Sequence, residues 1–401
     1  MQLKYKYYYN FEKLFLFLFF IILFFPKIDL IEIPNYWQGI RLEDIALTIY
    51  GLTVLFNYEE KIINNEQVKK FVPVLFYFVI IFIAAFVGKM SGLQIKYLSL
   101  IRILEYFFIV ILLCNIKISK EDIVYYLKIY VLVNIVFAVL QEFSLIGAFT
   151  SLGYLDPDHE LNARSMGITG GSWELGVIIS LCYFIILRLE KPNYFRTFIY
   201  FIIVLLLNII AESRGNFIGF FIANIFLLKN HLIIKKYLSS IFGILILAVI
   251  SIYGLETLNS KAYKRIIETD YFFAFQMVKD YVFFQELPTF DQVGFSSYSL
   301  VYRLNLWDRL LTLYIDNFFT ILFGSGTTAI YYESGIIRII FTTGLIGLIY
   351  TAFMARKLEM YILIYFILIG LTLDIFNSLK IFSFTMLYYK LIYENYSNRR
   401  N

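Results

Sequence analysis

Five arginines in this 401-residue chain stand where an anion could be gripped: Arg164, Arg214, Arg303, Arg309 and Arg338. Arg214 lies in the short run Glu212, Ser213, Arg214, Gly215, Asn216, a tight turn between two apolar stretches. Its planar guanidinium is the side chain best shaped to hold a phosphate through two parallel N–H···O bonds. An arginine at a membrane boundary also reaches the headgroups simply by snorkelling. Upstream, NARSMGITGGSWELG joins Arg164 to flexible glycines and to a helix start at Trp173 and Glu174. Exposed helix N-termini favour anions. In YRLNLWDRLL, Arg303 and Arg309 are about 1.7 helical turns apart, so only one of them need face a site. Glu333 and Ser334 open a later apolar run, with Tyr332 just before them and Arg338 one turn deeper.

Ionisable side chains at membrane depth are costly and therefore candidates for function. Arg102 and Glu105 are three residues apart and can pair on one helix face. Glu142 and Asp374 come late in their apolar runs, where each either lines a cavity or marks a headgroup boundary. Cys114 and Cys182 sit in apolar stretches and read as small core residues. The two histidines, His159 and His231, cannot complete a zinc centre without a cysteine set, so no metal and no cofactor is expected. LFGSG at 322–326 lacks the Gly-Lys-Ser/Thr ending of a phosphate loop and reads as a turn. The net charge of +5 is too small and too scattered for a nucleic-acid partner.

A bilayer must position these groups. The chain is 60% hydrophobic and 16% charged, against about 45–50% and about 25% in soluble proteins. Phe71 to Gly88 is almost uniformly apolar, which excludes the alternating strands of an outer-membrane barrel. Apolar runs near residues 12–25, 41–57, 71–88, 97–115, 123–147, 173–188, 196–212, 215–228, 232–253, 335–354, 358–374 and 379–393 predict an all-α polytopic bundle of about twelve transmembrane helices. Lysine and arginine fall on alternate connections (Lys69 and Lys70, Lys117 and Lys120, Arg188 and Lys191, Lys235 and Lys236, Arg356 and Lys357), which places both termini in the cytoplasm. The start of the chain imitates a signal peptide, but Pro26, Lys27 and Asp29 follow the apolar run instead of a cleavage site, so an uncleaved first span is expected. The organisation is then residues 1–253 with spans one to nine, a large outer loop over 254–334, and 335–401 with spans ten to twelve and a cytoplasmic tail. A loop of roughly eighty residues usually has a function. Its YFFAFQMVKDYVFFQ at 271–285 reads as an amphipathic or membrane-edge helix.

SWELG (172–176), ESRGNFIGF (212–220), RLNLWDRLL (303–311), LFGSG (322–326) and ESGIIRIIFTTGLIGL (333–348), in that order, resemble the O-antigen polymerase and O-antigen ligase superfamily. The likeness covers about residues 165–350, and the Glu-Ser-Gly start of span ten is closer to the Wzy-type polymerases. Ligases typically carry a histidine near this region, and this chain has none after His231. The resemblance implies a GT-C-like membrane glycosyltransferase of the bacterial inner membrane, metal-independent and inverting. Its donor and acceptor would be undecaprenyl-diphosphate-linked oligosaccharides, with membrane lipid and a chain-length regulator protein as further partners. It implies Arg214 and Arg303 on the diphosphate and Glu333 as general base or acceptor-orienting group. Arg164, Glu174, Arg309, Arg338, Trp173 and Tyr332 would contribute to diphosphate or glycan binding. The alternatives are an O-antigen ligase and, in another class, a lipid-linked oligosaccharide flippase or other transporter.

Overall fold

In the computed structural model, the described residues are 14, 16–26, 28–31, 39–56, 65–93, 97–115, 119–150, 153–157, 164–190, 194–229, 271–284, 286–287, 298–315, 317–326, 334–375 and 378–398. The expected ninth span at 232–253, both histidines, Tyr332 and Glu333 lie outside them, as does the side chain of Arg102.

The described residues are mostly helical: α1 (16–24), α2 (Leu42–Phe56), α3 (Asn65–Met90), α4 (Tyr97–Asn115), α5 (Lys120–Glu142), α6 (Ser172–Leu189), α7 (Tyr194–Ile210) and α8 (Arg214–Lys229) come first. In the region expected to be one loop, 254–334, stand α9 (Tyr271–Phe284), α10 (Tyr298–Ile315) and α11 (Phe318–Phe323), followed by α12 (Gly335–Ala355), α13 (Met360–Thr372) and α14 (Leu379–Asn398). Among the described residues, four helices are long and apolar enough to cross a membrane, over Val68–Met90, Lys120–Glu142, Ser172–Leu189 and Gly335–Ala355. Ile103–Asn115, Phe195–Ile210, Arg214–Leu227 and Met360–Thr372 are apolar but shorter. At 1.5 Å per residue the 13 residues of α13 reach only about 20 Å, less than the hydrocarbon core of about 30 Å. Two small antiparallel hairpins depart from the purely helical expectation: β1 (Asp29–Ile31) with β2 (Ile40–Arg41), and β3 (Ala148–Thr150) with β4 (Gly153–Leu155). Short-range polar contacts close them, since Arg41 Nε donates to Asp29 Oδ1 at 2.8 Å and the Gly147 amide donates to the Tyr154 hydroxyl at 2.8 Å.

The central element is α6. Residues 174–186 are buried on every side, as befits a helix that is apolar all round. It packs against α5, α7, α8 and α14, while α13 lies against α8 and α12 lies against α3, α11 and α13. The α8–α13 approach is close because α8 offers Gly215 and Gly219 one turn apart. A side chain at Gly219 would stand 2.9 Å from Ile369 Cγ2, and one at Gly215 would overlap Thr372. Small residues spaced by four are what lets membrane helices approach backbone to backbone.

The bundle has two ends. One, here termed the loop face, carries residues 144–150, 153–157 and 164–171, the 211–213 turn, residues 317–326 and the start of α12. At the other end, Arg188 near the C-terminus of α6 pairs with Glu359, which also accepts hydrogen bonds from the Tyr361 and Tyr388 hydroxyls, the latter at 2.8 Å. The Arg188 guanidinium stands 5.6 Å from the centre of the Tyr388 ring. Burial pushes the Glu359 carboxyl up, but the two tyrosine hydroxyls and Arg188 outweigh it and hold the group below the usual carboxylate range. A carboxyl lowered in the folded state stabilises above its unfolded value of about 4.3 and loses that contribution as pH falls through the folded value. Glu359→Gln should therefore melt below the parent at pH 7 in a detergent thermal-shift assay, with the gap closing as the pH drops below about 4. The gap is modest, because 41% of the Glu359 side chain meets solvent.

Candidate functional site

The segment ahead of α6 folds into the bundle because a polar stripe on α5 receives it. Asn134, Gln141 and Glu142, seven and eight residues apart, share one helix face. Gln141 Oε1 accepts from the amides of Met166 and Gly167, both at 2.8 Å, and its Nε2 donates to the carbonyls of Gly167 and Gly147. Asn134 Oδ1 accepts from the Ile168 amide at 3.1 Å, and Glu142 Oε2 accepts from the Ser165 hydroxyl at 3.1 Å. Backbone that leaves regular structure at such depth needs this supply of partners. Glu174, 1% exposed, completes the seat. One carboxylate oxygen accepts from the Gly170 amide at 2.6 Å and the other from the Ser378 hydroxyl just before α14. Glu174, one of the residues expected to bind glycan or diphosphate, thus has both oxygens hydrogen-bonded within the protein. Trp173 is half-buried and packed against the core.

Arg164, Arg214 and Arg338, from three distant segments, are connected through two ion pairs, short stretches of chain and the close α8–α13 approach. Arg164 Nε lies 3.5 Å from Glu212 Oε2, with Arg164 half exposed and Glu212 buried. Glu212 turns the chain with a positive φ of 50°. Two residues on, Arg214 is the first residue of α8 and half-buried. The next residue, Gly215, abuts Thr372 at the end of α13. Two residues beyond Thr372, Asp374 Oδ2 accepts from Arg338 Nε at 2.8 Å and Nη2 at 2.7 Å. Ser334 caps α12 one turn above Arg338 and donates to the Gly370 carbonyl at 2.8 Å, clamping α12 to α13. Asp374, noticed in the sequence only for its depth, is thus the counter-ion of Arg338.

The Arg214 turn is fixed from beneath by amides and hydroxyls that sequence reading passed over. Asn216 Nδ2 donates to Asn208 Oδ1 and, at 3.2 Å, to the Ser180 hydroxyl, while Asn216 Oδ1 accepts from the Tyr365 hydroxyl. These bonds join α8 to α7, α6 and α13. Asn208 stands alone in an apolar run and Asn216 closes the polar Glu212–Asn216 turn, and only the three-dimensional convergence reveals the network.

Arg303 and Arg309 are separated by the packing of α10. Leu306, Leu310 and Tyr314 form one stripe that meets Ile337, Ile340 and Phe341 of α12, with the Tyr314 and Phe341 rings 4.8 Å apart. Arg303 continues that stripe, half-buried, roughly 16 Å along the helix from Tyr314. Arg309 points away and is exposed.

LFGSG is more than a turn. Asn317 caps α11 and donates to Ser91 Oγ at the end of α3. Gly324 to Gly326 then run alongside α12, where the Ser325 amide and hydroxyl both donate to the Phe341 carbonyl, at 2.7 and 2.8 Å, and the Gly326 amide donates to the Thr342 carbonyl at 3.1 Å. Those carbonyls face outward from helical bonding because α12 is broken at Gly344, whose φ of 62° and ψ of −165° are non-helical. The tenth of 21 residues, Gly344 lies near the middle of the helix. A side chain there would stand 2.5 Å from the Gly324 nitrogen and overlap the Leu322 carbonyl.

No protein family, curated protein or solved structure matches the chain.

Proposed function

We propose that the protein is a surface-polysaccharide polymerase of the O-antigen polymerase type, with about twelve spans, both termini cytoplasmic, and the loop face turned to the periplasm of a bacterial inner membrane. The observation that carries this reading is the line of contacts linking Arg164, Glu212, Arg214, Thr372, Asp374 and Arg338 beside the N-terminus of α8. Arg214 is the first residue of α8, and a helix N-terminus and a guanidinium fork each suit a diphosphate. The reaction moves the growing glycan from its undecaprenyl diphosphate onto a hydroxyl of the incoming lipid-linked repeat unit. The acceptor oxygen bonds to the anomeric carbon, the bond to the diphosphate oxygen breaks, and the hydroxyl proton passes to a base. Arg214, aided by Arg303, stabilises the charge that grows on the leaving diphosphate. Glu333 is the proposed base, and Arg164 and Arg338 set the surrounding field through their carboxylates. A chain-length regulator is the expected protein partner.

The surface-glycan ladder of a deletion strain tests this directly. Loss of the polymerase leaves lipid A core bearing a single repeat unit. Bare core with finished polymer still on its lipid carrier would instead identify an O-antigen ligase. A second reading has its own support, because discontinuous helices near the bilayer midplane are a mark of transporters, and α12 is such a helix. A lipid-linked oligosaccharide flippase predicts bare core with no polymer on either carrier.

A further inference from the structure

The helix α9 exposes most of its described apolar side chains, Phe275, Val278, Val282, Phe283 and Phe284, beside the polar Gln276 and Lys279. At about 100° per residue, Phe275, Val278 and Val282 fall within about 60° of one another, and all three are exposed, Phe275 at 70% and Val282 at 63%. Met277, roughly opposite, is buried, and Tyr281 beside it stands near Asp308 of α10, so that side is the one packed on the protein. Lys279 is exposed on the flank of the apolar stripe.

This stripe continues a surface that a bilayer already accounts for. Phe318 and Phe319 of α11, exposed at 66% and 60%, directly follow Asn317, which the Ser91 contact places level with the end of α3. Exposed Leu311 and Ile315 at the C-terminal end of α10 carry the same apolar surface on toward α9, which packs on α10. Apolar surface of this extent on a membrane protein marks an interaction site, and the adjoining interface is lipid.

We infer that α9 lies in the surface of the leaflet on the loop face, with Phe275, Val278 and Val282 among the acyl chains and Lys279 reaching the headgroup phosphates. The occupant of this face is the lipid surface itself. A helix with an apolar face and a flanking lysine has the form of an in-plane membrane anchor. This assignment is independent of the reaction proposed above. It makes α9 a float that holds α10, and with it Arg303, at headgroup height.

Nitroxide labels report the seat. In the full chain with Cys114 and Cys182 changed to alanine, Phe275→Cys, Val282→Cys and Asp280→Cys are each labelled and reconstituted in nanodiscs of phosphatidylethanolamine and phosphatidylglycerol. Labels at 275 and 282 should be relaxed several-fold more by oxygen than by a water-soluble nickel chelate, with the order reversed at 280. Stronger relaxation by the nickel chelate at 275 and 282 overturns the inference. So does exclusion of both reagents, which means that a second copy covers the face. Val282→Trp, made in the otherwise native chain, gives an independent reading. Bromine on the upper acyl carbons should quench its fluorescence, and unchanged emission counts against the lipid seat.

Discussion

Arg214→Ala should reduce polymer formation by about 10²- to 10³-fold, the loss typical when one donor to a developing anion is removed, while the protein accumulates to parental levels. The second half of this expectation comes from the packing. The α8 start is held by Gly215 and Gly219 against α13 and by Asn216 against α6, α7 and α13, and these contacts remain when the guanidinium is removed. Arg214→Lys keeps the charge at the helix N-terminus yet cannot offer two parallel donors, and it should recover only part of the activity. Polymer length and amount, read from the same glycan ladder together with membrane protein level, decide the matter. Full polymer from Arg214→Ala removes this residue from the reaction, and full polymer from Arg214→Lys reduces its part to charge alone.

The largest expected effect on stability belongs to Gly344→Ala. The φ of 62° and ψ of −165° lie in a region open essentially to glycine, at a cost of about 1–3 kcal/mol for any other residue. The added methyl also overlaps the Leu322 carbonyl and the Gly324 nitrogen, and overpacking of this kind adds typically about 1–3 kcal/mol. Straightening α12 to escape the strain returns the Phe341 and Thr342 carbonyls to helical bonding and strands the Ser325 and Gly326 amides. Ser325→Ala is the mild companion, since it removes one hydroxyl bond worth about 1 kcal/mol and keeps the amide pairing. Thermal melting of the purified proteins should order them as parent, Ser325→Ala, then Gly344→Ala well below both. A parental melting point for Gly344→Ala would mean that the break at this residue is not needed for the fold.

What could be read from the sequence was what periodicity and length govern. Uniformly apolar stretches such as Phe71 to Gly88 declare a membrane helix without reference to any other part of the chain, and Tyr271–Phe284 formed the helix expected there. The anionic-site candidates were legible as residue types, because arginines at turn and helix boundaries are rare enough to notice. Their relations were not. That Arg164 meets Glu212 while Arg338 meets Asp374 depends on the approach of α8 to α13, and that approach rests on two glycines whose spacing says nothing about the partner helix. Glu174 shows the limit most plainly, since nothing near it in the sequence points to Ser378, 204 positions away, whose hydroxyl donates to one of its oxygens. The Gly-Ser-Gly segment was misread as a turn because its partner is a discontinuity in another helix, to which no local pattern points.

The helix α6 is tied to the α14 segment at two levels, through Glu174 and Ser378 at the loop face and through Arg188 and Tyr388 toward the other end. Both run in the same direction across the bundle, so two ties fix their register and forbid one from sliding on the other. Any relative movement of helices in this protein is then left to other elements, of which α12 is already divided at Gly344, with α10 and α11 packed on its first half.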